Sequence, residues 1–239
     1  MREGLARVLT AVGLGLLAFP AVAGEDGGAK KARRYVVATM GDSLSDPKVH
    51  GGKYLRRLAA RCPGSTFDTY AKGGQMVNQM RKRFVTDVFG DGKPRYTHVL
   101  ILGGVNDLIS DETAGRTVEK IERDLTAMYD ATTSRGAKVI AMTVAPWGGF
   151  KKYWSPKRRA ATHALNAFIR AQKDEGHLVF DTWKTLGGKD PDYLCEGCAQ
   201  KDGLHWAAKG HELVADALFE QHFSDCVTQL RAEGPRMDG

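Results

Sequence analysis

The sequence lacks the features of several large protein classes. Neither a P-loop nor a GxGxxG pattern occurs in its 239 residues, which argues against a nucleotide-dependent enzyme. After the first apolar stretch, no second one is long enough to cross a membrane. Internal repeats and dividing linkers are also missing. With 42% hydrophobic and 26% charged residues, the composition excludes collagen, low-complexity disorder and a multispan membrane protein, and it indicates a globular chain with a substantial core.

Positive charge is in modest excess. There are 35 Lys and Arg residues against 28 Asp and Glu residues, a formal net charge of +7. A basic chain favours anionic partners such as nucleic acid or an envelope surface. However, the two signs are mixed along the chain, and the only dense basic run is at 30–34. We interpret this run as a solvated spacer and expect no nucleic-acid partner.

The first 23 residues have the pattern of a secretory signal peptide. A basic start precedes an apolar stretch at 8–19, and a small-x-small cleavage site ends at Ala23. An uncleaved N-terminal anchor is the alternative. The sequence therefore predicts a secreted or periplasmic protein without a stable membrane span. Its predicted parts are a signal peptide (1–23), a charged leader (24–34), one domain (35–228) and a tail (229–239).

Apolar runs that alternate with helical patterns predict the fold. Five short apolar runs predict strands at 35–40, 66–70, 98–102, 138–144 and 177–180. Helical patterns follow them at 53–61, 77–88, from 118 to Gly136, from Pro156 onward and at 206–223. This alternation is typical of parallel strands joined by right-handed crossovers. The sequence thus predicts an α/β fold, a single three-layer α/β/α sandwich around a five-stranded, mostly parallel sheet.

Two glycine-containing motifs follow the first two predicted strands, at the sheet edge where such folds carry their functional residues. Gly41-Asp42-Ser43 would turn sharply and project the Ser43 hydroxyl from that edge. A capped helix start is the alternative. Gly73 and Gly74 would let a backbone N–H approach a ligand closely, although the pair also suits a plain turn.

Two further motifs supply an amide and an acid–base pair. Asn106, after the third predicted strand, could offer its side-chain amide to a developing negative oxygen; a turn residue is the alternative. Asp202 and His205 precede the last helix, and their spacing lets the carboxylate hold one imidazole nitrogen while the other serves as a base. An N-cap beside an exposed histidine is the alternative. With Ser43, these residues form the set needed for acyl transfer through a serine ester.

The four motifs, in this order, resemble the sequence blocks of the SGNH (GDSL) hydrolase superfamily. The resemblance spans about residues 35–222, and Trp206 departs from it where relatives often carry proline. It implies a flavodoxin-like fold. It also implies Ser43 as the nucleophile and His205 as the base, oriented by Asp202.

The resemblance further implies an oxyanion hole and a reaction class. The hole would consist of the backbone N–H groups of Ser43 and Gly74 and the amide of Asn106, with Gly73 as an alternative to Gly74. The implied reaction is hydrolysis of carboxylic esters without a cofactor or a metal. Lipids, simple acyl esters, thioesters and O-acetylated glycans all remain possible substrates. An alternative from another class is a non-catalytic, glycan-binding module of the cell envelope.

The four cysteines suit an oxidising compartment. Cys62 and Cys226 end the first and the last predicted helix, which are expected to be neighbours, so we predict that they form a disulfide. Cys195 and Cys198 would pair locally and stiffen the loop that follows. A rival interpretation is a zinc site whose ligands would be Cys195, Cys198, His205 and His211.

An aromatic loop at 146–154 follows the fourth predicted strand. Its position on the active edge suggests a wall that contacts the acyl group or a sugar. We predict substrate contacts from Trp147 in this loop, from Trp206 and from Asp42. The alternative is a loop whose aromatic side chains pack onto the domain.

Overall fold

The computed structural model describes residues 32–227. The predicted signal peptide, residues 24–31 of the leader and the tail lie outside the described residues. Among residues 32–227, no helix is long and apolar enough to cross a bilayer.

A five-stranded sheet forms the centre of the domain. Its order is β2-β1-β3-β4-β5 and every neighbouring pair is parallel. The strands are β1 (Val36–Gly41), β2 (Thr66–Thr69), β3 (His98–Leu102), β4 (Lys138–Met142) and β5 (Leu178–Phe180). All residues of the central strand β3 are buried, as expected for an apolar strand covered on both faces.

Helices cover both faces of the sheet. They are α1 (Lys53–Arg61), α2 (Val77–Phe89), α3 (Val105–Ile109), α4 (Val118–Thr133), α5 (Pro156–Ala171), α6 (Thr182–Leu186) and α7 (Ala208–Leu218). Apolar side chains of α2, α4 and α5 form one core with the sheet, and those of α1 and α7 form another on the opposite face. The three-layer α/β fold with a five-stranded sheet is thus confirmed, and the sheet is entirely parallel.

Most predicted elements are present, with differences at the last helix. The sequence predicts this helix over 206–223, but α7 begins at Ala208 and gives way after Leu218 to a π-helical turn. Trp206 instead pairs with Ala199 in an isolated antiparallel bridge. The short helices α3 and α6 escape prediction because five residues are too few to show a helical period.

Two disulfides cross-link the domain, and they join the pairs that the sequence predicts. Cys62 is bonded to Cys226, and Cys195 is bonded to Cys198. The first bond joins the end of α1 to the segment after α7, and these two helices pack against each other. The second lies at the start of the loop that leads to His205.

Candidate active site

Four segments that are distant in sequence meet around one cavity at the carboxyl edge of the sheet. The cavity has a volume of about 360 Å³. It is lined by Ser43, Val49, Gly73, Gly74, Asn106, Gln200, Leu204 and His205. Five of the sequence-predicted residues therefore border the same space: Ser43, Gly73, Gly74, Asn106 and His205.

A hydrogen-bonded chain of three side chains borders the cavity. The Nδ1 of His205 lies 2.6 Å from Oδ2 of Asp202, and its Nε2 lies 2.9 Å from Oγ of Ser43. Since the carboxylate can only accept, Nδ1 carries the proton and Nε2 accepts from the Ser43 hydroxyl. The arrangement places a basic nitrogen on the hydroxyl that it would deprotonate.

Asp202 is held in the orientation that this chain requires. Its Oδ1 accepts hydrogen bonds from the backbone N–H groups of Leu204 (2.9 Å) and His205 (3.0 Å), which leaves Oδ2 for the imidazole. Partial burial alone would raise the pKa of Asp202, but the hydrogen bonds from His205 and from these N–H groups lower it below its usual value. The carboxylate therefore stays ionised beside the imidazole.

Ser43 lies in a tight turn directly after β1. The backbone carbonyl of Asp42 accepts from the N–H groups of Ser45 (3.1 Å) and Asp46 (3.0 Å), and Oδ1 of Asp42 accepts from Leu44 N–H at 3.0 Å. A Cβ at Gly41 would lie only 3.0 Å from the Ser45 side chain. A side chain at position 41 would therefore crowd Ser45, and the carboxylate of Asp42 supplies an acceptor within the turn.

Asp42 does not contact the cavity, and this corrects the sequence prediction. Its side chain is 1% exposed because it folds back beneath the turn. Burial raises the pKa of Asp42 to about 7, since water cannot solvate the carboxylate. Asp42 supports the turn of Ser43 from below.

The two tryptophans predicted to contact the substrate are also buried. Trp147 is 0% and Trp206 is 1% exposed, and neither lines the cavity. The indole N–H of Trp147 donates to Thr162 Oγ1 at 3.1 Å, and the ring centroids of Trp147 and Trp154 lie 4.7 Å apart in a T-shaped arrangement. Trp206 packs against Tyr54. The prediction of substrate contact is wrong for both, because their rings fill the domain core.

The geometry favours Gly74 over Gly73 as a backbone donor. The N–H of Gly73 donates to Oδ2 of Asp46 at 2.8 Å and is occupied. Within the described part of the chain, the N–H of Gly74 has no acceptor. Gly74 has φ = +75°, a left-handed conformation that glycine adopts without strain.

Asn106 and Asp107, both in α3, join this short helix to the glycine loop. The Nδ2 of Asn106 donates to the carbonyl of Gln75 at 3.0 Å, which leaves its second amide hydrogen for a ligand. Oδ2 of the adjacent Asp107 accepts from Val77 N–H at 2.8 Å, at the start of α2. Two consecutive side chains thus fix the position of α3 relative to the glycine loop.

A chain of ion pairs supports this connection from below. Arg116 donates from Nε to Asp107 and from Nη2 to Asp124 on α4, both at 2.7 Å. Asp124 also pairs with Arg81 of α2 at 2.7 Å. Asp107, Arg116 and Asp124 are buried, whereas Arg81 is half exposed. Each buried charge is therefore matched by an opposite one, as burial requires.

The zinc interpretation does not agree with the structure. Cys195 and Cys198 are bonded to each other, so the thiolates that it needs are absent. His211 is buried between Trp206 and Tyr54, and its ring lies parallel to that of Tyr54. Burial, together with the nearby charges of Lys53 and Arg56, lowers the pKa of His211 to about 4. His211 is a core residue of the interface between α1 and α7.

Sequence reasoning missed five residues of the site. Val49, Gln200 and Leu204 line the cavity, Asp46 holds Gly73, and Arg116 holds Asp107. Apart from Leu204, which lies between Asp202 and His205, no local motif distinguishes these residues, since each is defined by a tertiary contact. Arg116 is a partial exception to this rule. An arginine that is buried inside a domain requires a carboxylate partner nearby.

Comparisons with known proteins agree with this fold. Residues 39–213 match the GDSL-like Lipase/Acylhydrolase family. A GDSL-like lipase from Bacteroides thetaiotaomicron superposes with a TM-score of 0.63 at 20% identity, over 81% of this chain and 89% of that one. A catalytic mutant of an acetylxylan esterase from Geobacillus stearothermophilus gives 0.63 at 16%, over 78% and 93%.

A third structure, described as an alpha/beta hydrolase from the metagenome of Lake Arreo, superposes with a TM-score of 0.64 at 19% identity, over 84% of this chain and 100% of that one. At these identities the likeness shows the fold. No curated protein sequence matches the chain significantly.

Proposed function

Because the chain belongs to the GDSL-like lipase/acylhydrolase family, we propose that it is an exported serine esterase that cleaves carboxylic esters at the Ser43 cavity. The observation that carries this proposal is the chain from Asp202 through His205 to Ser43, with contacts of 2.6 and 2.9 Å, at the border of one cavity. Such a chain activates a hydroxyl that is otherwise a weak nucleophile.

The first half of the reaction forms an acyl-enzyme. Nε2 of His205 takes the proton of Ser43 as Oγ attacks the ester carbonyl carbon, and Asp202 stabilises the imidazolium. The carbonyl oxygen becomes an oxyanion, which accepts hydrogen bonds from the N–H groups of Ser43 and Gly74 and from the amide of Asn106. The tetrahedral intermediate then expels the alcohol, which takes its proton from His205.

The second half releases the acid. Water gives a proton to Nε2 of His205 and attacks the acyl carbon, and the same three donors hold the new oxyanion. Collapse breaks the bond to Oγ, which recovers its proton from His205. All proton transfers pass through one nitrogen, and no cofactor takes part.

Export is proposed from the sequence, and the two disulfides support it. The signal peptide pattern at 1–23 predicts transport, and both cysteine pairs in the described domain are disulfides. Disulfides persist in oxidising compartments. Edman sequencing of the protein recovered from the periplasm or medium is expected to begin at Gly24; a protein that retains Met1 in the cytosol would contradict export.

Ester hydrolysis by matched serine variants tests the activity. The native protein is expected to hydrolyse p-nitrophenyl acetate, and Ser43→Ala is expected to lose this activity. Ser134→Ala, which alters an exposed serine after α4, is the control and should retain it. Equal rates for native protein and Ser43→Ala would refute the proposal. Binding of an envelope glycan without hydrolysis of any ester would favour the non-catalytic module.

A further inference from the structure

The loop that carries Asp202 and His205 approaches Ser43 as the tip of a hairpin, the His205 loop (199–206). Ala199 and Trp206 close the base of this loop in an antiparallel bridge. At the tip, the side chains of Asp202 and His205 are partly exposed. An exposed loop tip is mobile unless the rest of the domain holds it. A contact at the tip is therefore needed to keep the imidazole 2.9 Å from Ser43.

Such a contact joins the tip to the aromatic loop at 146–154, backbone against backbone. A Cβ at Gly203 would lie 2.3 Å from the carbonyl carbon of Gly149 and 2.4 Å from its carbonyl oxygen. A Cβ at Gly149 would lie 2.9 Å from Cα of Gly203 and equally close to its carbonyl oxygen. The two loops therefore approach so closely that neither position has space for a side chain.

The aromatic loop is fixed behind this contact. Trp147 is 0% exposed, and its indole N–H donates to Oγ1 of Thr162 in α5 at 3.1 Å. The N–H of Gly148 donates to the carbonyl of Asp192 at 2.8 Å. The two residues that precede Gly149 are thus held by different parts of the domain, and the aromatic loop forms a firm support for the His205 loop.

The contact bears directly on the position of the base. Gly203 lies between Asp202 and His205 in a turn that is closed by hydrogen bonds, since Oδ1 of Asp202 accepts from His205 N–H at 3.0 Å. The turn therefore moves as a unit. Non-bonded carbon atoms pack at about 3.5–4.0 Å, so an alanine at position 203 would displace the turn by about 1 Å. A shift of this size takes the 2.9 Å contact between His205 and Ser43 out of hydrogen-bond range.

We propose that Gly149 and Gly203 are positioning residues for the base, because their backbone contact sets the distance between His205 and Ser43. This proposal rests on the proposed esterase function. It also gives the aromatic loop a role as the support of the His205 loop, in place of the substrate contact that the sequence predicts for Trp147.

Two alanine variants disturb the contact in different ways. Gly203→Ala introduces crowding and also backbone strain, because Gly203 has φ = +73°, in the left-handed region. Gly149→Ala introduces the crowding alone, since Gly149 does not have a left-handed φ. An effect that the two variants share therefore comes from the contact between the loops.

Two matched controls reproduce the strain and the crowding elsewhere. Gly197→Ala introduces the strain alone, because Gly197 has φ = +74° and its Cβ would meet only Cδ of the Lys209 side chain, at 3.5 Å. Gly90→Ala introduces a backbone clash beyond the end of α2, where a Cβ would lie 2.3 Å from the carbonyl oxygen of Thr86. Neither glycine touches the His205 loop or lines the cavity.

The measurement is the hydrolysis of p-nitrophenyl acetate, with active sites counted by fluorophosphonate labelling to completion. Because unfolded protein takes no label, kcat for each labelled site reports the position of the base and not the folded fraction. We expect this kcat to fall on the order of 10²-fold in Gly203→Ala and about tenfold in Gly149→Ala, since a misplacement of about 1 Å can cost 10²-fold. KM should change little, because neither glycine lines the cavity.

Each outcome bears on a different claim. A native kcat for each labelled site in Gly197→Ala and Gly90→Ala, beside the two reduced values, supports the proposal. A native value in Gly149→Ala and Gly203→Ala as well overturns it while the esterase function stands, and so does a loss confined to the number of labelled sites. If the native protein cleaves no ester and takes no label, the proposed function fails and this proposal fails with it.

Discussion

Single residues of the candidate site differ in what they do for the reaction. In the proposed mechanism, Ser43 attacks the ester and His205 transfers the protons, whereas Asn106 only donates a hydrogen bond to the oxyanion. Asp42 is adjacent to Ser43 but is buried beneath the turn. Replacing these side chains one at a time distinguishes their roles.

Replacement of Asn106 by alanine tests the oxyanion hole. We expect kcat to fall on the order of 10²–10³-fold, the usual effect of losing one donor. The fold should survive, because the hydrogen bond to Gln75 contributes only about 1 kcal/mol. Steady-state kinetics and circular dichroism provide the two measurements. An unchanged kcat would remove Asn106 from the site.

The buried carboxyl of Asp42 predicts a dependence of stability on pH. Burial raises its pKa from 3.8 to about 7, so the folded state favours the protonated form. The stability that this protonated carboxyl contributes is complete below pH 3.8 and is lost as the pH rises through 7. The loss amounts to about 4 kcal/mol, because a tenfold difference in proton affinity corresponds to about 1.4 kcal/mol.

Asp42→Asn removes this titration and retains an acceptor for Leu44 N–H. The free energies of unfolding of the native protein and the variant, measured by urea titration at pH 4 and pH 8, should therefore diverge with rising pH in favour of the variant. Other titrating groups occur in both proteins and cancel in the difference. A difference that is constant across this range would show that Asp42 titrates normally.

At the scale of elements, the glycine loop and α3, which carries Asn106, are positioned by contacts with α2 and α4. Asp107 of α3 caps the start of α2, and Arg116 and Asp124 connect these helices through paired charges. These ion pairs are connected to one another, but their members differ in burial. Replacing the buried Arg116 or the half-exposed Arg81 is therefore expected to have different effects on stability.

Replacement of either arginine by methionine tests the support. Arg116→Met leaves Asp107 buried without a counter-charge, and we expect a loss of about 3–5 kcal/mol in the free energy of unfolding. Arg81→Met, on the same Asp124, breaks a half-exposed pair and should cost about 1 kcal/mol or less. Chemical denaturation measures both. Equal losses of unfolding free energy in the two variants would mean that the buried ion pairs do not hold these elements in place.

The elements themselves are largely predictable from local patterns. The helix that starts at Pro156 is predicted from its cap, and Ser155 Oγ accepts from Arg158 N–H as such a cap requires. The end of the last helix cannot be predicted in this way, because its apolar period continues through the π turn at Phe219–Phe223. Local patterns report periodicity, whereas a change of helix type depends on packing.

At the scale of the whole molecule, one topological rule accounts for what the sequence could reveal of the site. Parallel strands point their carboxyl ends the same way, so motifs that follow β1, β2 and β3 reach one edge whatever the strand order. The positions of Ser43, Gly74 and Asn106 could therefore be predicted. The burial of Trp147 and the exposure of Val49 could not be predicted, since both depend on how the loops pack around this edge of the sheet.

The bond between Cys62 and Cys226 closes most of the domain into one loop, with a sequence separation of 164. Replacement of both cysteines by serine should lower the free energy of unfolding by about 3–5 kcal/mol, because the unfolded chain regains the entropy of an open loop. The Ser43 cavity lies at the other end of the sheet, so kcat at 25 °C should not change. A fall in kcat without a loss of stability would contradict this separation.

The most direct test of the account is the mapping of a covalent adduct. A fluorophosphonate reacts with a serine only where a base activates the hydroxyl and donors stabilise the oxyanion. Mass spectrometry of the digested protein is predicted to find one adduct, on Ser43, which disappears in His205→Ala. No adduct on the folded native protein, or an adduct on a different serine, would contradict the account.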